Sequence, residues 1–161
     1  MESKVISNTG PILHLNEINL IRALDIFSSI SIPQEVAEEL HKNRISVPKK
    51  IKIEKLLQSS KDIIKVLTNQ YDLDFGESCA IALALQEKAQ YFITDDLDAR
   101  TVAQEYALEV HGTAGIILRA FREKLLDKKT AIIKLQELYN NSSLFITKDI
   151  IDSIMQAIQD F

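Results

Sequence analysis

Glu39, Glu77, Asp96 and Asp98 are the residues of this 161-residue chain whose types and placement could do chemistry. Glu39 lies on one predicted helix and Glu77 opens another. Asp96 and Asp98 follow the predicted strand Tyr91-Phe92-Ile93-Thr94, and Asn8, at the end of the first predicted strand, is an uncharged fifth. Carboxylates gathered about 4 Å apart repel by roughly 4 kcal/mol per pair at an effective dielectric near 20. Such a cluster persists only when protons or a cation neutralise it. A ligand set made only of oxygens suits a hard divalent cation, Mg2+ or Mn2+.

Whether these acids share one cleft depends on the elements between them. Val5-Ile6-Ser7 is a short β-type run that hands over at Asn8-Thr9-Gly10-Pro11 to a helix, with Pro11 suited to the first turn. Leu20 to Phe27 is helical in pattern, and Ser29 to Ile32 alternates like a strand. Pro33 then opens a helix through Leu40, with Glu39 at the edge of the face shared by Val36 and Leu40. The stretch Ser46 to Glu54 reads as irregular or as a short edge strand, and Ser59 as the cap of a helix to about Asn69. After a loop from Tyr71 to Gly76, Glu77 to Lys88 is apolar nearly all round and is predicted to be a buried helix. Tyr91 to Thr94 is a strand, Leu97 to Tyr106 a helix and Leu108 to His111 a strand. Thr113 to about Leu125 is a helix with Thr113 as candidate cap. The last third is helical, Asp127 to Tyr139 and then Thr147 to about Ile158, where Ile150, Ile151, Ile154, Met155 and Ile158 form one apolar stripe. Strands alternating with helices imply parallel βαβ units and a sheet covered on both faces. Ligands of such sheets bind beyond the carboxyl ends of the strands, near a topological switch point, where Asn8 and the Asp95-Asp96-x-Asp98 run are both expected.

Near-average composition, 46% hydrophobic and 26% charged, bounds the chain to one domain over residues 1–161. No apolar stretch approaches the roughly 18 residues of a membrane span, and Met1-Glu2-Ser3-Lys4 leads into a strand rather than a secretory signal, so a cytoplasmic, soluble protein is expected. Cys79, the only cysteine, falls in an apolar helical run as a small core residue. Charge is uneven. From Lys42 to Lys65, eight basic residues, including Lys42, Arg44, Lys49 and Lys50, face only Glu54 and Asp62. That segment is +6, and since the whole chain is −4 the remainder is −10. A second basic run comprises Arg119, Arg122, Lys124, Lys128, Lys129 and Lys134. Composition allows either a solvated surface or a phosphate-contacting rim beside the acidic site. No Gly-rich phosphate loop or Gly-x-Ser-x-Gly elbow is present, and His14, His41 and His111 lack zinc-type spacing.

The chain resembles the PIN-domain nucleases, and within them the VapC-like toxins. The resemblance rests on Val5-Ile6-Ser7-Asn8-Thr9 with Pro11, Ile32-Pro33-x-x-Val36-x-x-Glu39-Leu40, Gly76-Glu77-x-x-Ala80-Ile81-x-Leu83-Ala84, Ile93-Thr94-Asp95-Asp96-x-Asp98-Ala99-Arg100 and Gly112-Thr113. It implies a three-layer α/β/α fold with a central, mostly parallel sheet and a helical C-terminal third. It also implies a Mg2+- or Mn2+-dependent endoribonuclease, the toxin of a toxin–antitoxin pair, with a small antitoxin as partner and a possible homodimer. Carried over residue by residue, Glu39, Glu77, Asp96 and Asp98 are the catalytic acids, with Asp96, Glu77 and Asp98 on the metal. Asn8, Thr9, Thr94 and Asp95 support them. If such a site is active, basic residues, Lys42, Arg44, Lys49, Lys50 and Arg100 among them, are expected to hold the RNA backbone. Asn8 departs from the family's usual first-strand aspartate, which lowers metal affinity unless Asp95 or Asp98 compensates. Two alternatives stay open: a catalytically weakened PIN-like module that binds RNA or protein, and hydrolysis of small phosphomonoesters.

Overall fold

The computed structural model describes residues 4–161, so the reading of Met1 to Ser3 lies outside the described residues. Five strands, β1 (Lys4–Ser7), β2 (Ser29–Pro33), β3 (Ile51–Glu54), β4 (Tyr91–Ile93) and β5 (Glu109–His111), form one sheet in the order β3-β2-β1-β4-β5. All four pairings are parallel, with Ser7 opposite Ile93 and Ile93 opposite His111. Val5, Ile6, Ile30, Ile32, Phe92 and Ile93 are buried, as expected where helices cover both faces of a parallel sheet. The chain steps outward from β1 in one direction to β2 and β3, then returns to pair β4 on the other side of β1. The switch point therefore lies between β1 and β4.

Among the described residues, eight α-helices surround the sheet: α1 (Thr9–Glu17), α2 (Gln34–Lys42), α3 (Gln58–Gln70), α4 (Phe75–Gln86), α5 (Leu97–Glu105), α6 (Thr113–Arg122), α7 (Lys128–Asn141) and α8 (Lys148–Gln159). Helix α4 packs on β1, β2 and β4 with α2, α3 and α5 beside it, while α6 touches α1, α7 and α8. The all-round apolar character of α4 is matched by burial from Ser78 to Ala84. Cys79 is fully buried, and burial first, then the nearby carboxylates Glu35, Glu39 and Asp74, push its thiol up to about 12. It is packing, not a nucleophile.

Several local expectations are corrected. The helical stretch expected from Leu20 to Phe27 is a 3-10 helix over Ile21–Ile26. Ser59 lies inside α3, which starts at Gln58 with no side-chain cap of its own; Gln86 Oε1 instead accepts the Leu57 N–H and the Ser60 hydroxyl. Thr113 is the first residue of α6 rather than its cap. The stripe on α8 divides: Ile151 and Ile158 are buried, Ile154 and Met155 partly so, and Ile150 is exposed.

Candidate functional site

The residues that close the helix N-termini beyond β1 and β4 are also the polar residues of the site. Asn8 caps α1, its Oδ1 accepting the Thr9 N–H at 2.9 Å, and its amide donates to Thr94 Oγ1 at 3.3 Å. Asp74 and Glu77 form a reciprocal capping box on α4: Asp74 Oδ1 accepts the Glu77 N–H at 2.8 Å and Glu77 Oε2 the Asp74 N–H at 3.1 Å. Asp96 caps α5 through Ala99 N–H at 2.8 Å. Asp95 caps α6 from outside, Oδ1 taking the Thr113 N–H at 2.7 Å and Oδ2 the Thr113 hydroxyl at 2.5 Å. Four helix N-termini, each carrying partial positive charge, thus meet at one end of the sheet, where anionic groups are favoured.

Asn8, Thr9, Glu39, Glu77, Thr94, Asp95, Asp96 and Asp98 line one cleft of about 540 Å³, together with His14, Asp74 and the Ser143–Phe145 segment. Glu39 reaches it from α2. Its Oε2 accepts the Thr9 hydroxyl at 2.5 Å, and its carboxylate lies so close to the start of α4 that a Cβ at Gly76 would stand 1.9 Å from Oε1. Only glycine at 76 admits this approach. Glu77 is pushed up to about 7, chiefly by burial; the neighbouring charges of Asp74 and Asp96 add to the rise, against the Asp74 backbone N–H that lowers it. Burial disfavours the charged carboxylate, and the acids beside it add to that effect.

Among the described residues, no three acidic, histidine or cysteine side chains are positioned to hold one metal ion by themselves. Two carboxylates are enough for Mg2+, which keeps several waters and takes oxygens from substrate phosphate. Asp96 and Glu77 each tie one oxygen to backbone N–H, which fixes the carboxylates while leaving the other oxygen without a backbone partner. The donor set therefore fits a hard divalent cation.

The supporting positions differ in what they have left to give. Asp95 has both oxygens occupied, the second also facing His14 Nδ1 at 2.6 Å, so it braces the β4–α5 turn rather than replacing the charge missing at Asn8. Asp98 is exposed in the first turn of α5 and forms no hydrogen bond among the described residues. Of the basic residues, Lys42 borders Glu39 and Asp74. Lys50 donates to Leu24 O and Asp25, each at 3.1 Å. Arg44 and Lys49 are exposed and line none of the clefts described. Arg100 faces a neighbouring cleft beside Gly112, its Nε buried without a partner.

Sequence reasoning missed three features. His14 is buried against Asp95, a pairing across the sheet that no local spacing announces. Asp74 was legible as the first member of an Asp-x-x-Glu capping box. The apolar rim, Leu97 at 76% exposure and Phe145 at 93%, comes from α5 and the α7–α8 connection.

A family model described as "DUF3368: PIN domain" matches residues 4–160. No curated protein matches the sequence. Among solved structures, the fold is similar to Mycobacterium tuberculosis VapC20, described as a sarcin-ricin loop cleaving toxin: TM-score 0.50, 11% identity, covering 61% of this chain and 94% of that one.

Proposed function

The chain belongs to the PIN-domain family, and from that premise we propose that it is a metal-dependent endoribonuclease, the toxin of a toxin–antitoxin pair, hydrolysing RNA phosphodiester bonds in the acidic cleft. The observation that carries the reading is the meeting of Glu39, Glu77, Asp96 and Asp98 in one cleft at the switch point, with the Glu77 carboxyl pushed up to about 7. The activity printed for the similar toxin, sarcin-ricin loop cleavage, agrees with this class of reaction.

Asp96 and Glu77 are the residues to hold Mg2+ or Mn2+, with Asp98 joining directly or through water. When bound, the ion neutralises the cleft and polarises a phosphate and a water. Glu39 orients the attacking water and takes its proton, and the Thr9 hydroxyl keeps that carboxylate in place. Thr94 steers Asn8 and accepts the Asp96 N–H at 3.2 Å, fixing the turn that presents Asp96. The helix N-termini of α1, α4, α5 and α6 favour an anionic phosphate in the same place. The exposed apolar rim of Leu97 and Phe145 beside this negative cleft suits a protein partner offering apolar and cationic side chains, which is the form an antitoxin segment would take.

Asn8 favours a second reading, a weakened module that binds RNA or protein without turnover, because its carbonyl oxygen is committed to Thr9 N–H and it adds no charge. Incubation of pure protein with total RNA, with and without Mn2+, separates the two. Mn2+-dependent fragments that vanish in Asp96→Asn support the hydrolase; intact RNA under all conditions contradicts it. A gain of cleavage in Asn8→Asp over an inactive parent would select the second reading.

A further inference from the structure

The aromatic ring next to the capping box stands exposed where a hydrolase would need to hold its substrate. Phe75 is the first residue of α4, 60% exposed, flanked by Asp74 and Gly76. It lines two adjoining grooves. One contains Glu39, Asp74 and Gly76 and so continues from the acidic cleft. The other, of about 430 Å³, runs away from it between α4, α3 and the end of β3, over the buried side chain of Ile64. Its charged wall residues are Lys55, Lys61 and Lys65 against Glu35. Lys61 and Lys65, four residues apart on α3, share a face. All three lysines are exposed, and none pairs with an acid among the described residues.

A lone exposed phenylalanine is ordinary surface. This one stands at the junction between a negative cleft and a positive groove, and a ring flanked by unpaired lysines matches one ligand chemistry: single-stranded nucleic acid, with a base on the ring and phosphates on the ammonium groups. We propose that Phe75, with Lys55, Lys61 and Lys65, forms a subsite that stacks one unpaired base of the RNA and leads the strand from the acidic cleft along α3. The proposal rests on the reading of that cleft as an RNA-cleaving site. It also accounts for the +6 segment more closely than Lys49 and Lys50 do, since Lys50 is held by Asp25 and Leu24.

The test is equilibrium binding of a fluorescein-labelled ten-nucleotide single-stranded RNA in EDTA, where no cleavage intervenes, across a salt series. Phe75→Ala and Phe75→Leu are expected to weaken binding about tenfold, and Phe75→Tyr to stay within about twofold of the parent, because stacking needs a π face. The Lys61→Gln, Lys65→Gln double variant is expected to flatten the slope of log affinity against log salt by about 1.4. Equal affinity of the parent, Phe75→Ala and Phe75→Leu overturns the subsite, whether or not RNA is cleaved with Mn2+. Ring-dependent binding without any Mn2+-dependent cleavage would remove the hydrolase reading and leave the subsite standing. Because Phe75 is exposed, the variants keep the parent's melting temperature, which circular dichroism verifies.

Discussion

Two pairs of carboxylates face one another in this molecule, and their fates differ. On the β3 side, the neighbouring Glu87 carboxyl first, then the Ser31 hydroxyl and lysine charges, hold Glu54 below the usual carboxylate range, against burial, and Glu54 in turn pushes Glu87 above it. Lys4 stands 3.7 Å from Glu87, supplying a counter-charge. At the cleft, Glu77 and Asp96 are brought together with no lysine or arginine among the described residues that line the space, and burial pushes Glu77 up to about 7. Where carboxylates serve structure, the chain provides its own neutraliser. At the cleft it provides none among the described residues, and the proposed function gives that part to a divalent cation.

The sharpest break in that contrast is Asp96→Asn. Asparagine is as good a helix cap as aspartate, so α5 should survive with melting changed little, while Mn2+-dependent RNA cleavage falls more than about a hundredfold, beyond the usual cost of losing an outer-shell partner. Comparable activity in the variant would place the chemistry elsewhere. Glu77→Gln also keeps the capping box and should lower cleavage strongly. It carries a pH signature as well. Because the folded Glu77 carboxyl holds its proton more tightly than the unfolded one, the metal-free native state binds more protons between the ordinary carboxylate range and about pH 7, and stability falls as pH rises through that window. Glu77→Gln should remove that slope in denaturation curves taken in EDTA.

Next in size is Gly76→Ala, which forces the Glu39 carboxylate off its seat. A displacement near 1 Å costs on the order of a hundredfold in rate, while alanine inside the first turn of α4 should hold or raise stability by up to about 1 kcal/mol. Parent-like kinetics would show that Glu39 need not sit there. Asp95→Ala removes the external cap of α6 and should cost about 1–2 kcal/mol in urea denaturation. The smallest effect is expected at the compensated pair: Lys4→Met should shift stability by less than about 1 kcal/mol and leave RNA cleavage unaltered.

The fold was legible in the sequence because its signals are local and strong: the Val-Ile and Phe-Ile strands, the all-apolar α4, and the strand–helix alternation that makes a parallel sheet. The meeting of Asn8 with Asp96 followed from that topology, since both end neighbouring strands at the switch point. What stayed hidden depends on side chains that find partners far along the chain. Asp95 looked like a reserve ligand until His14 and Thr113 were seen to occupy both its oxygens. Ser59 looked like a cap until Gln86, from α4, was seen to accept the bonds instead. Lys50 looked free for RNA, yet it clips the 3-10 helix through Leu24 and Asp25. Residue type announces a capacity to bond, while only the folded neighbourhood shows where that capacity is spent.

Titration of the metal-free protein with Mn2+, followed by electron paramagnetic resonance at neutral pH, asks most directly whether the cleft is a cation site. The account predicts saturable binding to the parent that is lost or weakened at least about tenfold in Asp96→Asn and in Glu77→Gln, with Glu87→Gln binding as the parent does. Undiminished Mn2+ binding in both cleft variants would contradict it.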